Sequence, residues 1–334
     1  MSLFSAEEIW SLKDEELMRL LNSGRLEHTP RKVSFYTPTF AYHKATPISC
    51  SQPKFPTISI TGKACALGCK HCGGKVLETM QPAETPEKLF ALAQRLKRDG
   101  AAGCLVSGGC LPDGSVPLDK FIPVIGRMKR ELGLTVTVHT GIVSQATATK
   151  LREADVAAAL IDIVGSNETL KHVLNLNVTT NSYEHSLKAL SSAKLSFVPH
   201  VIIGLQDGKL GGEFEALQMI RRYEPSGLVV IAFMPIRGTE MEHVKPTQPG
   251  DIVKVVATAR VMFPATPLAL GCMRPKGKDR AKIDVLALKA GVDAIAFPTE
   301  DAVTYAEAHG MEVAFSPYCC SNIYIDLNVR SRSK

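Results

Sequence analysis

Three cysteines, Cys65, Cys69 and Cys72, carry the most specific chemistry in this chain. They lie in the run ISITGKACALGCKHCGG, from Ile58 to Gly74. The spacing C-x3-C-x2-C lets three thiolates converge on one metal centre from a single loop. A cuboidal iron–sulfur cluster has four irons, normally held by Cys thiolates. Three thiolates leave the fourth iron open to an exogenous ligand, which a structural or electron-carrying site does not need. The competing chemistry is structural zinc, with His71 as fourth ligand. Zinc sites usually draw on two spaced pairs, and His71, next to Cys72, is expected to reach the same ion poorly. The spacing therefore favours a [4Fe–4S] cluster.

The elements that must hold this loop follow from the apolar pattern. Strands are expected at 58–62, 103–108, 134–139, 157–164, 197–204, 227–233, 267–272 and 293–297. Helices are expected between them, at Pro86–Arg98, Leu118–Leu132, Ser144–Ala154, Tyr183–Ala193, Glu213–Tyr223, Asp251–Phe263 and Arg280–Ala290. Near-continuous apolar strands separated by helices imply an α/β protein with a parallel sheet covered on both faces. Eight such repeats fit a closed (β/α)8 TIM-type barrel better than a doubly wound sheet. An N-terminal helix and arm occupy 1–56, the barrel 57–310, and a C-terminal extension with a Cys pair 311–334. The helix opens at Ser5, which forms a capping box with Glu8, and runs to near Gly24. The arm is rich in Thr, Pro and basic residues, and Tyr36, Phe40 and Tyr42 argue that it lies ordered over the barrel. VAF and IYIDL give the extension strand-like pieces.

Barrel chemistry gathers where the strands end. There the sequence places Gly108-Gly109-Cys110, His139-Thr140-Gly141, Asp162, Gly204, Met234-Pro235, and Cys272 with Arg274 close behind. Asp162 is suited to accept from a ribose hydroxyl. Asp162 and His139 also read as ordinary polar rim residues, and the glycines as turn makers. Cys110 and Cys272, with Cys319 and Cys320 brought over the mouth by the tail, suggest an auxiliary iron–sulfur cluster. Arg274 is then a nearby counter-charge. The ordinary reading of these four is scattered free thiols, and Cys50 and Cys104 look like small buried hydrophobes.

Composition bounds the class. The 334 residues are 45% hydrophobic and 22% charged, with a mean hydropathy of +0.04. No apolar run nears the roughly 18 residues that span a membrane, and MSLFSAEEIW is not signal-peptide-like. The expectation is a cytoplasmic protein without membrane contact. Nine cysteines are an odd set that points to metal ligands rather than disulfides. Net charge is +6, without the Lys/Arg runs and interleaved aromatics of a nucleic-acid binder, and suits acidic protein partners.

The cysteine loop directly after a strand resembles the signature of the radical S-adenosylmethionine (SAM) superfamily. The resemblance implies that SAM chelates the open iron through its amino and carboxylate groups. It also implies that Gly108-Gly109 approaches the SAM amino group, and that the Gly204 region packs on adenine. His71, His139, Asp162 and Met234 join the cofactor-binding set. Glu often follows the Gly-Gly pair in this superfamily; here Cys110 stands instead. LVSGGC, VHTGIV, ALIDIVG, PHVIIGL, GTEME, LGCMRPKG and the final CC resemble the biotin-synthase-like branch, most of all the lipoyl synthases that work as two separate proteins. That resemblance covers about residues 30–325 and implies sulfur insertion into octanoyl groups on a lipoyl carrier protein. A 5′-deoxyadenosyl radical would abstract hydrogen, and a sacrificial auxiliary cluster would give up the sulfur. It further implies a second lipoyl synthase component and a low-potential electron donor. Another biotin-synthase-like enzyme of cofactor biosynthesis is the alternative; a non-catalytic iron–sulfur carrier, which would not cleave SAM, is the alternative from another class. Lys276, Lys278, Arg280 and Lys282 rim the expected mouth and suit an acidic carrier domain.

Overall fold

The computed structural model describes residues 4–24, 32–37 and 54–326. Its centre is one parallel sheet. The strands are β1 (Lys32–Tyr36), β2 (Thr57–Ser59), β3 (Gln81–Pro82), β4 (Gly103–Ser107), β5 (Thr135–His139), β6 (Ala158–Asp162), β7 (Phe197–Ile203), β8 (Leu228–Ala232), β9 (Leu268–Leu270), β10 (Ala294–Ala296) and β11 (Glu312–Ser316). Their order is β11-β1-β10-β9-β8-β7-β6-β5-β4-β2-β3. The eight expected strands are β2 and β4–β10, and they stand side by side in sequence order. That order follows from local chemistry: each strand is apolar on both faces, and each crossover is a helix. Helix Pro86–Arg98 starts where Thr85 Oγ1 accepts from Lys88 N at 3.2 Å.

The closed barrel is not what forms. Among the described residues no strand pairing joins β3 to β11, so the sheet curls into a partial TIM barrel and stays open. Two strands come from outside the expected eight. KVSFY, in the N-terminal arm, becomes β1 between β10 and β11. EVAFS, in the extension, becomes the edge strand β11. Phe40, Tyr42 and Cys50 lie outside the described residues.

The N-terminal helix is two helices, Ala6–Ser11 and Asp14–Asn22. The expected capping box is present, with Glu8 N donating to Ser5 Oγ at 3.1 Å and Ser5 N to Glu8 Oε2 at 2.7 Å. A break at Leu12–Lys13 follows because Glu16 caps the backbone N–H of Lys13 at 2.9 Å and starts the chain afresh. Both helices pack on Pro249–Met262. No helix among the described residues is long and apolar enough to cross a membrane.

The tail fills the lumen. Ala158, Ala269, Ala294 and Ala296 are small inward residues, and Cys320 and Ile323 pack into the room they leave, beside Leu160, Val198 and Val229. Tyr318, Asn322 and Asp326 lie with Phe55, Ala102 and Thr135, where β2, β4 and β5 begin. Tyr324 Oη donates to Ala157 O, just before β6. The tail therefore enters from the N-terminal end of the strands and does not cross the mouth. IYIDL is helical up to Asp326 rather than a strand; with the sheet edge taken by β11, Ile323 is buried by turning inward.

Candidate active site

The cysteine loop is tied down on two sides. Toward β4, Gly109 N donates to Thr61 Oγ1 at 2.7 Å and Ala66 N to Cys110 O at 2.8 Å. Toward the loop after helix Asn167–His172, Cys69 Sγ donates to Leu174 O at 3.3 Å, Lys70 N to Val173 O at 2.8 Å, and Asn175 Nδ2 to Gly68 O at 2.9 Å. Ligand atoms of Cys69, His71 and Cys72 lie within 4.8 Å of one another. This corrects one expectation: a ring nitrogen of His71 reaches the same space as the two thiols. Its Nδ1 is buried with no partner. The closeness of the Cys69 and Cys72 thiols, which share one proton's stabilisation between them, drives the Cys72 thiol down to about 4 and the Cys69 thiol up. Gly109 forms a cradle, since a Cβ there would stand 2.0 Å from Ala64 O and 2.6 Å from Cys65 Cα.

A cavity of about 320 Å³ opens over this loop. Cys65, Cys69, His71, Cys72, Gly108, Gly109, Cys110, His139, Asp162 and Met234 all line it. Gly204 does not. A Cβ on Gly204 would meet Thr247 Oγ1 at 2.1 Å, and its φ of +75° suits glycine. Gly204 is held by the buried Glu213, which accepts from Gly204 N at 2.8 Å and Gly211 N at 2.5 Å. The turn so fixed aims its neighbours Ile202 and Leu205 at the cavity.

The second cysteine set divides. Cys110 sits with the loop: burial first, then Cys65, Asp162 and Cys72, push its thiol up to about 12. Cys272, solvent-exposed just after β9, lies instead within electrostatic reach of Cys319 and Cys320, though the three are not among the groups whose ligand atoms all meet within 4.8 Å. The hydrogen bond between the adjacent thiols, helped by Ser321 Oγ donating to Cys319 Sγ at 3.1 Å, lowers Cys319 to about 6 and raises Cys320. Cys104 is fully buried in β4, as its ordinary reading expects.

A family model described as the radical SAM superfamily matches residues 59–218, the span that holds the cysteine loop and the strands β4–β7. Residues 59–218 are a radical SAM region. Its curated relatives include the biotin synthase of Prochlorococcus marinus (strain NATL1A), 25% identical over 303 residues, covering 87% of this chain and 81% of that protein. The biotin synthase of Buchnera aphidicola subsp. Acyrthosiphon pisum (strain APS) is 24% identical, covering 71% of this chain and 70% of that one. These matches make the chain similar to the biotin-synthase-like branch. Two solved structures share the fold. A methylornithine synthase matches with a TM-score of 0.63 at 16% identity, over 97% of this chain and 95% of that one. The [FeFe]-hydrogenase maturase HydG matches at 0.67 and 16% identity, over 99% and 76%.

Of the two metals that the loop geometry alone leaves open, the radical SAM match over this loop implies a [4Fe–4S] cluster on Cys65, Cys69 and Cys72 with SAM. The residues fit that group: three thiols on one anchored loop, an orphaned His71 nitrogen, and a glycine cradle beside a cavity of ligand size. Asp162 lines the cavity and also meets His139, whose Nε2 stands 3.4 Å from its Oδ1. Burial opposes both charges, yet their attraction prevails, holding Asp162 down to about 2 and lifting His139. The reading of the sequence overlooked His200, which joins these two within 4.8 Å. Its only signal was a polar residue inside the apolar run FVPHVIIG.

The basic rim also needs correction. Lys276, Lys278 and Lys282 are exposed, but Arg280 turns inward, Nη2 donating to Phe297 O at 3.1 Å. Arg274 is fully buried, its Nε 2.8 Å from Asp284 Oδ1 and its Nη1 bonded to Gly271 O and Ala296 O. It anchors the loop after β9, and a buried pair of this kind is costly to break from one side. Arg274 still acts on the Cys272 and Cys320 thiols as a nearby positive charge.

Proposed function

We propose that this radical SAM enzyme inserts sulfur at an unactivated carbon during cofactor biosynthesis, drawing the sulfur from an auxiliary iron–sulfur centre on Cys272, Cys319 and Cys320. The observation that carries the reading is that Cys272, Cys319 and Cys320 lie within electrostatic reach of one another, apart from the cysteine loop. Its likeness to biotin synthases supports it. When bound, the Cys65/Cys69/Cys72 cluster with SAM supplies hydrogen-atom abstraction, which a saturated C–H bond requires because it has no acidic proton.

The chain's own residues prepare the place. Leu67, Leu77, Leu176, Phe233 and Met234 give the cavity an apolar wall that suits an alkyl chain and keeps water out. The tail closes the lumen from below. The Gly204 turn, fixed by Glu213, shapes one side. Glu213 is 3% exposed, so this brace is desolvated and rigid.

We further infer that the alkyl chain is an octanoyl group on a lipoyl carrier protein, handled together with a second lipoyl synthase component and a low-potential electron donor. The sequence motifs, the apolar cavity and the exposed Lys276 and Lys278 support this. The curated relatives speak more directly for the broader reading, a biotin-synthase-like enzyme with another substrate of cofactor biosynthesis. One experiment separates them. After anaerobic reconstitution, wild type should form 5′-deoxyadenosine and a C–S product on octanoyl carrier protein. Ala at Cys65, Cys69 or Cys72 should abolish both. Cys272→Ala or Cys319→Ala should keep SAM cleavage, lose sulfur transfer, and reduce iron from about eight to about four per chain. Unchanged iron in both variants would end the auxiliary-centre reading. Sulfur transfer to other acyl substrates alone would end the octanoyl one.

A further inference from the structure

One group of ligating side chains is not absorbed by the cysteine chemistry. His139 ends β5, Asp162 ends β6, and His200 lies in β7, so three successive strands supply one residue each. The backbone sets their relation: β5, β6 and β7 are paired neighbours, with Asp162 opposite His200 in the ladder. One ligand atom from each lies within 4.8 Å of the other two. The two imidazoles are 5.8 Å apart between centroids and tilted by 55°, so they do not stack face to face.

The surroundings are those of a prepared ligand set. His200 Nδ1 lies 3.1 Å from Val198 O. A ring nitrogen that donates to a backbone carbonyl fixes the tautomer and leaves the other nitrogen as a lone-pair donor, the usual state of a metal-binding histidine. His139 and Asp162 keep 23% and 38% of their side-chain surface open, and both line the cavity over the cysteine loop. The ordinary reading is a His139–Asp162 ion pair with His200 as a neighbour. An ion pair needs one imidazole for one carboxylate. It gives no reason for a second imidazole, already oriented by Val198, to be held in the same small space.

We propose that His139, Asp162 and His200 hold a divalent first-row metal ion, separate from both cysteine groups. Two imidazoles and one carboxylate form the ligand set that suits ferrous iron and leaves coordination positions open. Two of the three ligands, His139 and Asp162, line the cavity over the cysteine loop, and His200 stands behind them. The ion then anchors a carbonyl or carboxylate oxygen of the substrate. The inference stands independently of the sulfur-insertion reading, since it assigns a different centre on different ligands.

The test uses reconstituted, desalted protein under anaerobic conditions, titrated with Co2+ and followed by its ligand-field absorbance. Wild type should take up a single Co2+ per chain beyond its clusters. His200→Gln, His139→Gln and Asp162→Asn should each weaken that uptake by at least ~10-fold, while cluster iron and thermal melting stay at wild-type values. Cys319→Ala should retain the cobalt site, which separates it from the auxiliary centre. The proposal is overturned if wild type binds no Co2+ beyond the clusters. It is equally overturned if the histidine variants bind like wild type, or if Cys319→Ala removes the signal and His200→Gln does not.

Discussion

Gly109→Ala, compared with Gly108→Ala, asks how closely the end of β4 must approach the cysteine loop. A Cβ at Gly109 would stand 2.0 Å from Ala64 O and 2.6 Å from Cys65 Cα, so the obstruction is mainly backbone and no rotamer change relieves it. Restoring an ordinary 3.4 Å contact parts β4 from the loop by about 1.4 Å. The φ of Gly109 is not in the left-handed region, so the whole effect is steric. A misplacement of ~1 Å at a positioning group is enough to cost ~10²-fold in rate. Crowding of this kind costs roughly 1–3 kcal/mol of stability, which a chain with this much buried core survives. At Gly108 the nearest atoms are Thr61 Cγ2 at 3.0 Å, Thr61 Oγ1 at 3.1 Å and Ile60 Cγ1 at 3.2 Å. These are side-chain atoms that can give by tenths of an ångström. The assay is anaerobic reconstitution with iron counting, thermal melting, and the rate of 5′-deoxyadenosine formation. Gly109→Ala should fold, yet lose at least ~10²-fold in SAM cleavage or fail to retain its cluster. Gly108→Ala should stay within ~10-fold of wild type, about 1.4 kcal/mol. Equal losses in the two variants, or near-normal cleavage by Gly109→Ala, would refute the cradle.

Two further predictions concern the tail and the rim. Ile323 is fully buried among inward residues of the sheet, so Ile323→Ala should cost ~2–5 kcal/mol in denaturant unfolding, and a loss near zero would mean the tail does not support the fold. Lys276→Glu with Lys278→Glu should slow turnover on an acidic octanoyl carrier protein, and less so at high salt. A short octanoyl-lysine peptide should react nearly as before, and equal loss on both substrates would assign the lysines to the site itself.

What the sequence makes legible here is what is local. Cys65, Cys69 and Cys72 need one loop, and the eight inner strands need only their own apolar runs and the helices between. KVSFY was hidden because a five-residue strand in a Thr- and Pro-rich arm has no helix beside it to mark a repeat; its partners are β10 and β11, far along the chain. His200 was hidden because a polar residue in an apolar strand gains meaning only once the ladder sets Asp162 opposite it. The tail was misjudged for the same reason. IYIDL reads locally as a strand-like piece, but the alanines that make room for Ile323 are spread over β6, β9 and β10. The break at Leu12–Lys13, by contrast, had a local cause in the second acidic cap.

The position of β1 has a consequence for how the molecule is made. Residues 32–36 emerge long before either of their ladder partners, 294–296 and 312–316. At ~5–20 residues per second, the early strand waits for many seconds with both edges unpaired. Cys65, Cys69 and Cys72, together with the β2–β4 neighbourhood that grips them, are complete long before that. Cys272, Cys319 and Cys320 cannot come together until the tail has entered the lumen. The cysteine loop thus has its surroundings long before Cys272, Cys319 and Cys320 have theirs.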